Sequence, residues 1–266
     1  MNSTNTQSQP QTRITLNGNT FSIALADMGQ GRTYLLLHGG AGPGSVMGLA
    51  GALSLSNTAR AIVPTHPGFQ GQARPEWLQS VPDLASAYLA MLEAMDLKDV
   101  IVVGNSLGGW IAAEMATRKS PRVAGIVLLN AMGVESGAHG KLADMSKVSP
   151  AERTAMAFHD PAKFAIAPAS PEAAAAMAEN QKTLRIYGGQ HFTFDPTLRA
   201  RLGGIAVPAL VAWGESDRIV DVAYGREFAE SIPGARFVAI PEAGHLPQIE
   251  KTAAVLELLA GFPAHQ

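Results

Sequence analysis

The chain has 266 residues, of which 47% are apolar and 16% are charged, and its formal net charge is −2. This composition predicts a globular protein with a large core, and the net charge lacks the positive excess that would favour binding to nucleic acid. The absence of cysteine excludes disulfides, thiolate catalysis and cysteine-based metal sites. No apolar run reaches the roughly 18 residues of a membrane span, so no membrane partner is expected.

Residues 1–11 are polar and lack the apolar core of a signal peptide, so we expect a disordered tail and a cytoplasmic protein. After this tail, the stretch TRITLNGNTFSIALAD places Asn17-Gly18 between two strand patterns, which predicts a hairpin. Helical patterns then alternate with nearly continuous apolar runs, each typical of a strand buried on both faces. This alternation predicts a parallel sheet with right-handed crossovers. The four runs are RTYLLLHGG, ARAIVPTHPG, DVIVVGNS and VAGIVLLNA.

The alternation stops between residues 133 and 204, where no strong strand pattern is present and SPEAAAAMAENQKTLRIY is the clearest helix. A segment of about seventy residues is too long for a loop without secondary structure. We therefore expect a helical cap inserted into a core formed by residues 12–132 and 205–266. Both ends of this cap are expected at the carboxyl edge of the sheet. The strand and helix patterns resume with VPALVAWGESD, VAYGREFAESI, ARFVAIPEAGH and KTAAVLELLAGF.

A serine between glycines ends the run DVIVVGNS. Gly104 and Gly108 stand two residues on either side of Ser106, and a helical pattern begins at Leu107. Ligands of an open parallel sheet bind outside the carboxyl ends of its strands, and a strand that turns at once into a helix exposes the serine oxygen there. Small residues are needed because the two arms of such a turn nearly touch. Ser106 is therefore the predicted nucleophile.

A nucleophilic serine needs a base, usually histidine, and a carboxylate that holds the tautomer of this histidine. His245 follows the run FVAIPEAG and Asp217 follows ALVAWGES, so both stand at predicted strand ends. The order Ser106, Asp217, His245 is the one expected for this topology. The alternative acids are the neighbours Glu215 and Asp221 and, more remotely, Glu135.

Backbone N–H groups are expected to stabilise the oxyanion of the reaction. The turn after the nucleophile supplies the N–H of Leu107. The second donor is expected from the glycine-rich HGGAGPGS after the third strand, with Gly40 as the first choice and Ala41 as the next. Pro43 of this loop has no N–H and cannot serve.

The motifs HGG, GNSLGG, WGESD and AGHLPQIE stand in an order and strand context that resembles the α/β-hydrolase superfamily, from about Thr12 to the end of the chain. The resemblance implies an α/β fold with a mostly parallel eight-stranded sheet, flanking helices and a helical cap insertion. It also implies that His38 orients the glycine loop. Relatives tend to carry an aspartate and an apolar residue where this chain has Thr65 and His66. We expect His66 to lie in a surface turn, and a position facing the pocket is the alternative.

Six residues are predicted to contact the substrate: Ala41, Trp110, Phe164, His191, Phe192 and Leu246. Helix packing is the alternative for Trp110, and ordinary packing within the cap is the alternative for His191. No group of His, Asp and Glu has the spacing of metal ligands, and the glycine loop fits neither a phosphate-binding nor a dinucleotide-binding pattern. We therefore predict no metal, no cofactor and a small-molecule substrate as the partner, and the sequence leaves a homo-oligomer open.

The leading hypothesis for the function is a carboxylesterase-type serine hydrolase that cleaves a small, largely apolar ester through an acyl-enzyme. The alternative is a C–C bond hydrolase of a dienone or β-diketone ring-fission product, because HGGAGPGS and GNSLGG look like these enzymes. Against it, such enzymes usually carry an aromatic residue where Leu246 follows the histidine. A non-catalytic binder of a small ligand on the same fold is the third hypothesis. In each case the cap is expected to select the ligand without doing chemistry.

Overall fold

The computed structural model describes residues 10–143, 148–164 and 170–263, and a central sheet of eight strands with helices on both faces dominates these ranges. The spatial order of the strands is β1-β2-β4-β3-β5-β6-β7-β8. In chain order the strands are β1 (Gln11–Leu16), β2 (Asn19–Gly29), β3 (Arg32–Leu37), β4 (Ala59–Pro64), β5 (Val100–Asn105), β6 (Val123–Leu129), β7 (Ala209–Gly214) and β8 (Arg236–Ile240).

The sheet is antiparallel at one edge and parallel elsewhere. Strand β2 pairs antiparallel with both β1 and β4, and the five remaining pairs are parallel. Asn17 (φ 50°) and Gly18 (φ 78°) adopt the left-handed backbone that closes the hairpin between β1 and β2. Strands β5, β6 and β7 are buried along their whole length, as their unbroken apolar runs predict. The predicted eight-stranded, mostly parallel fold is confirmed.

The helices pack in two layers, one on each face of the sheet. Helices α2, α3 and α8 bury their apolar residues in one core, and α1 and α10 bury theirs in the other. The helices are α1 (Gly44–Ser54), α2 (Val81–Ala94), α3 (Leu107–Thr117), α4 (Pro150–Ala157), α5 (Pro161–Phe164), α6 (Pro171–Gly188), α7 (Leu198–Leu202), α8 (Val222–Glu230), α9 (Pro247–Glu250) and α10 (Thr252–Ala260). Helix α2 starts with a reciprocal cap, because the Ser80 side chain accepts from the N–H of Asp83 and the Asp83 carboxylate accepts from the N–H of Ser80.

The insertion between β6 and β7 carries α4 to α7, with a 3₁₀ turn at Gly189–His191. The expectation that both ends of the insertion lie at the carboxyl edge of the sheet is wrong, because only its start lies there. Strands β6 and β7 run parallel, so the chain has to reach the amino edge before β7 begins. Helix α7 packs against α3 on this return path, and its Leu198 and Leu202 are fully buried.

The first described residues belong to the sheet. Strand β1 begins at Gln11, and the carbonyl oxygen of Pro10 accepts a hydrogen bond from the N–H of Leu25 at 3.0 Å. Residues 1–9, the remainder of the predicted tail, lie outside the described ranges. None of the helices found in those ranges has the length and apolar character needed to cross a membrane.

Candidate active site

Ser106 joins β5 to α3 in a strained turn. Its backbone lies at φ 55° and ψ −115°, a region that residues with a side chain rarely occupy. The turn is as tight as predicted, because a Cβ at Gly104 would lie 2.1 Å from the carbonyl oxygen of Gly108, and a Cβ at Gly108 would lie 2.0 Å from that of Leu37. Glycine is therefore required on both sides, and the turn presents Ser106 at the carboxyl edge of the sheet, before the N-terminus of α3.

The hydroxyl of Ser106 donates a hydrogen bond to Sδ of Met132 (3.3 Å). The carbonyl oxygen of Ser106 accepts from the N–H groups of Met132 and Trp110, both at 3.1 Å. A thioether is a weak acceptor, so the hydroxyl can leave it for a stronger one. Sequence reasoning missed Met132, although it stands three residues after the end of β6, where the strand-end rule that selected Ser106 also applies.

His245 and Asp217 come together from two strand ends. Nδ1 of His245 lies 2.7 Å from Oδ2 of Asp217, and their side chains are 9% and 0% exposed. Oδ1 of Asp217 accepts from the N–H groups of Ile219 (2.8 Å) and Val220 (3.0 Å). A neutral imidazole that donates from Nδ1 keeps Nε2 as an acceptor. The pair therefore has the arrangement of a base held by a carboxylate.

Asn130 is a second partner of this carboxylate. Its Nδ2 donates to Oδ2 of Asp217 (2.7 Å), and its Oδ1 accepts from the N–H of Gly214 (3.1 Å). Its backbone is left-handed (φ 44°) and directly follows β6. Sequence reasoning missed Asn130 as well, and its place at the end of a buried parallel strand is the signal that could have found it.

The other acids considered from the sequence have different surroundings. Asp221 caps α8, since its carboxylate accepts from the N–H groups of Tyr224 (2.9 Å) and Lys141 (3.0 Å). Glu135 and Glu215 are exposed. In the described ranges, no group of three or more His, Asp or Glu side chains is arranged to hold a metal ion.

The loop that carries His245 is fastened on two sides. Nδ2 of Asn105, the residue before the nucleophile, donates to the carbonyl oxygen of His245 (2.9 Å). The N–H of His245 donates to the carbonyl oxygen of Ala157 (2.7 Å) at the end of α4. The Glu250 carboxylate accepts from the N–H of His159 (2.9 Å). The first part of the predicted cap is therefore bound directly to the loop of the predicted base.

The glycine loop after β3 lies against the nucleophile turn. A Cβ at Gly39 would lie 2.9 Å from Cβ of Ser106, so backbone and serine are in contact. Helix α6 covers the next residue, because a Cβ at Gly40 would lie 2.8 Å from Cδ2 of Leu184, and Nε2 of Gln181 donates to the Gly40 carbonyl oxygen (3.4 Å). The loop is thus enclosed between the turn below and α6 above.

His66 does not lie in a surface turn, and this expectation is wrong. Its side chain is fully buried, and its ring stacks on that of His38 with the centroids 3.7 Å apart. Thr65, the residue before it, is buried as well. An imidazole can occupy this apolar place because its polar atoms find partners inside the core.

The sequence matches the alpha/beta hydrolase family over residues 34–258, which is most of the chain. The chain belongs to the α/β-hydrolase family. This membership agrees with the strand order and with the serine turn at the end of β5.

Two relatives and one solved structure illustrate the range of this hydrolase's similarity. It is 30% identical over 260 residues to a 2-hydroxymuconate semialdehyde hydrolase of Pseudomonas putida, covering 90% of each chain. It is 28% identical over 251 residues to the dihydrolipoyllysine-residue acetyltransferase component of the acetoin cleaving system of Pseudomonas putida, covering 88% of the hydrolase and 64% of that protein. An esterase from Exiguobacterium antarcticum superposes with a TM-score of 0.73 at 19% identity, covering 94% and 98% of the two chains. This last likeness shows the fold alone.

Two of the predicted substrate contacts in the hydrolase are buried beside the turn and the base. Trp110 packs under the start of the insertion, because a Cβ at Gly133 would lie 2.5 Å from its Cγ. Trp110 is 3% exposed, and its contact with the substrate stays a prediction. Leu246 directly follows His245 and is buried. Leu107, a predicted oxyanion donor, is the first residue of α3, where N–H groups have no partner within the helix.

The other predicted contacts of the hydrolase are more open to solvent. Phe164 is half-buried and stacks on Phe158, with the centroids 6.4 Å apart. His191 is exposed and stacks on Phe194 at 4.7 Å. The two remaining residues are Phe192, which is half-buried, and Ala41, which is exposed.

Proposed function

We propose that the protein is a serine hydrolase that cleaves a small, largely apolar carboxylic ester. The observation that carries the proposal is the strained Ser106 turn at the same sheet edge as the buried His245–Asp217 pair. A serine hydroxyl is a weak nucleophile until a positioned base takes its proton. Family membership supports the hydrolytic class.

In the proposed reaction, the Ser106 hydroxyl leaves Met132, gives its proton to Nε2 of His245 and attacks the ester carbonyl. Asp217 stabilises the imidazolium that forms, and the N–H groups of Gly40 and Leu107 hold the oxyanion. The C–O bond then breaks, and the alcohol leaves with the proton from His245. Water, deprotonated by the same imidazole, attacks the acyl-enzyme and releases the acid.

Aromatic side chains beside the His245 loop support an apolar acyl group. Phe158 follows Ala157, whose carbonyl oxygen holds the N–H of His245. Phe158 is 8% exposed and carries the half-buried Phe164 ring on its face. Apolar walls of this kind select a substrate by the area they remove from water.

A second candidate, hydrolysis of a C–C bond in a dienoate, is favoured by the position of Arg153. This half-buried residue of α4 donates from Nη1 to Oε1 of Gln181 (2.9 Å), and Gln181 in turn donates to the carbonyl oxygen of Gly40 (3.4 Å). A positive charge therefore lies two hydrogen bonds from the proposed oxyanion donor. A muconate-type substrate, which the name of the 30% identical relative indicates for that protein, carries a carboxylate that such a charge would attract.

One set of assays separates these candidates. The purified protein and its Ser106→Ala variant are given p-nitrophenyl esters from acetate to octanoate and, in parallel, a 2-hydroxy-6-oxo-dienoate. Repeated ester turnover that disappears in the variant supports the esterase, whereas Ser106-dependent cleavage of the dienoate alone supports the C–C hydrolase. Release of a single equivalent of p-nitrophenol per chain, without turnover of either substrate, would instead identify a non-catalytic binder.

A further inference from the structure

Two buried histidines lie directly under the glycine loop and have no part in the chemistry proposed above. His38 follows β3 and begins the loop, and His66 follows β4, the neighbouring strand. Both side chains are fully buried, and their rings stack at an angle of 29°. Tyr88 of α2, which is also fully buried, completes the cluster through a hydrogen bond to Nδ1 of His66. Three polar side chains in a core are costly unless their polar atoms have partners.

The hydrogen bonds define where each proton of this cluster lies. The backbone N–H of His66 can only donate, so Nε2 of His38 accepts it (3.1 Å), and the His38 proton sits on Nδ1 and is donated to the carbonyl oxygen of Gly39 (2.8 Å). The carbonyl oxygen of His38 can only accept, so His66 donates to it from Nε2 (2.8 Å). Nδ1 of His66 is then an acceptor, and the hydroxyl of Tyr88 donates to it.

The hydrogen bonds of His38 require a neutral ring, and burial favours the neutral form of both histidines. Burial lowers the pKa of His38 to about 4, and it lowers the pKa of His66 well below its ordinary value. With two neutral rings, each ring nitrogen has one partner of the complementary kind. A further proton on Nε2 of His38 would set it against the backbone N–H of His66, which can only donate.

Two of these hydrogen bonds end on the backbone of the glycine loop. In a planar trans peptide the C=O and the following N–H point in opposite directions. A donor on the carbonyl oxygen of His38 therefore sets the direction of the Gly39 N–H, and a donor on the carbonyl oxygen of Gly39 sets that of the Gly40 N–H. The N–H of Gly42 adds a second bond to the Gly39 oxygen (3.1 Å). Glycine peptides need such external support because their backbone is conformationally permissive.

We propose that His66 and Tyr88 are positioning residues that, through His38, fix the two peptides on either side of Gly39 and so hold the N–H of Gly40 in the direction the oxyanion requires. The inference rests on the proposed function, because it assigns a support to the oxyanion donor of that reaction. Donors that are already oriented need no reorganisation as the charge develops, and this is the source of oxyanion stabilisation.

The test compares an ester with its thionoester, in which sulfur replaces the carbonyl oxygen. An oxyanion site shaped for oxygen stabilises the developing charge on sulfur much less, since sulfur is a weak hydrogen-bond acceptor. The variants are Tyr88→Phe, which removes one hydroxyl and keeps the ring, and His66→Gln. The matched control is Tyr34→Phe, because Tyr34 is a buried tyrosine of the opposite core whose hydroxyl donates to the carbonyl oxygen of Leu259 (3.5 Å).

We expect Tyr88→Phe and His66→Gln to lower kcat for p-nitrophenyl butyrate about tenfold or more, a fraction of the cost of losing an oxyanion donor. KM and the kcat for the thionoester should stay close to wild type, and Tyr34→Phe should leave both substrates unchanged. Equal losses on both substrates, or an unchanged ester rate in the mild variant Tyr88→Phe, would overturn the inference. Wild-type turnover that persists in Ser106→Ala would instead overturn the proposed function, and the inference with it.

Discussion

Asn130 donates a 2.7 Å hydrogen bond to the same oxygen of Asp217 that accepts Nδ1 of His245. Two further N–H groups, from Ile219 and Val220, occupy the other oxygen. The carboxylate is thus held by four donors in a buried site. Its orientation is set before any substrate arrives, and the ring of His245 takes its direction from it.

Ser106→Ala is expected to abolish hydrolysis, because loss of the nucleophile of such a triad costs on the order of 10⁶ in turnover. The measurement is kcat with p-nitrophenyl butyrate. A fluorophosphonate should label Ser106 in the wild type, since a base-activated hydroxyl reacts fastest, and peptide mass analysis gives the labelled position. Labelling at another serine, or a tenth of the wild-type rate in the variant, would place the nucleophile elsewhere.

Asp217→Asn is expected to lower kcat about 10⁴-fold, because an amide at this place does not hold the required tautomer of His245. Asn130→Ala removes one of the four donors to the carboxylate and should cost only about tenfold, the equivalent of one hydrogen bond to a charged group. Steady-state kinetics of the two variants give both numbers. If Asp217→Asn retains more than a tenth of the activity, Glu135 becomes the acid to examine.

Acid is expected to destabilise the fold as pH falls from about 6.5, the ordinary pKa of histidine, through the lowered pKa of His38 at about 4. In this window the unfolded chain binds protons that the buried His38 and His66 do not bind. The free energy of unfolding therefore decreases as the pH falls through the window, and the full contribution of the two histidines to stability is present only above it. For His38 alone, a shift of this size corresponds to about 3 kcal/mol.

Urea unfolding at several pH values between 4.5 and 7 tests this dependence. His66→Gln should unfold with a shallower pH dependence than the wild type, because one of the two protonation sites is gone. His139→Gln, a change at an exposed histidine, is the control and should leave the slope unchanged. Identical slopes in wild type and His66→Gln would show that the buried pair does not govern the acid limit.

Phe164→Ala is expected to move the chain-length preference toward longer esters, because a truncated apolar wall leaves room for methylenes worth about 1–3 kcal/mol each. Phe192→Ala should act in the same way if that ring also borders the substrate. The ester series in kcat/KM measures the shift, and the rate of fluorophosphonate labelling of Ser106 should remain close to wild type. Met177→Ala, an exposed apolar residue of α6, is the control.

A flat chain-length profile together with a collapse of labelling would show that the insertion is part of the catalytic scaffold and not a selecting lid. The end of α4 has such a scaffold role within reach, because the carbonyl oxygen of Ala157 accepts a hydrogen bond from the N–H of His245. Phe164 lies seven positions beyond that anchor, so its variant tests the selecting role with the anchor itself intact.

Arg153→Met is expected to raise KM for a dienoate about tenfold, because the variant lacks the charge that would pair with the substrate carboxylate. A neutral p-nitrophenyl ester should be affected little. Lys182→Met is the control, since Lys182 belongs to α6 and its exposed side chain pairs with Glu179 (2.6 Å). Equal changes of KM for both substrates would assign Arg153 a role in holding Gln181 and not in selecting an anion.

The sequence by itself determined the sheet, most of its helices and the candidate chemistry. Buried parallel strands have unbroken apolar sequences, and a glycine on each side of Ser106 indicates a turn whose two arms touch. Both features depend only on residues that are neighbours in the sequence, so the sequence predicts them. Because carboxyl ends of parallel strands meet at one edge, local patterns also predicted that Asp217 and His245 would lie together. Their catalytic roles, with the oxyanion donors Gly40 and Leu107, stay predictions.

Only the tertiary structure decided which distant groups complete the site. Asn130 meets Asp217 across 87 positions of the chain, and Asn105 meets His245 across 140. The burial of His66 depends in the same way on His38 and Tyr88, which stand 28 and 22 positions away. Whether a polar side chain can be buried depends on remote donors and acceptors that reach its polar atoms. The local sequence around His66 therefore does not distinguish a surface turn from a place in the core.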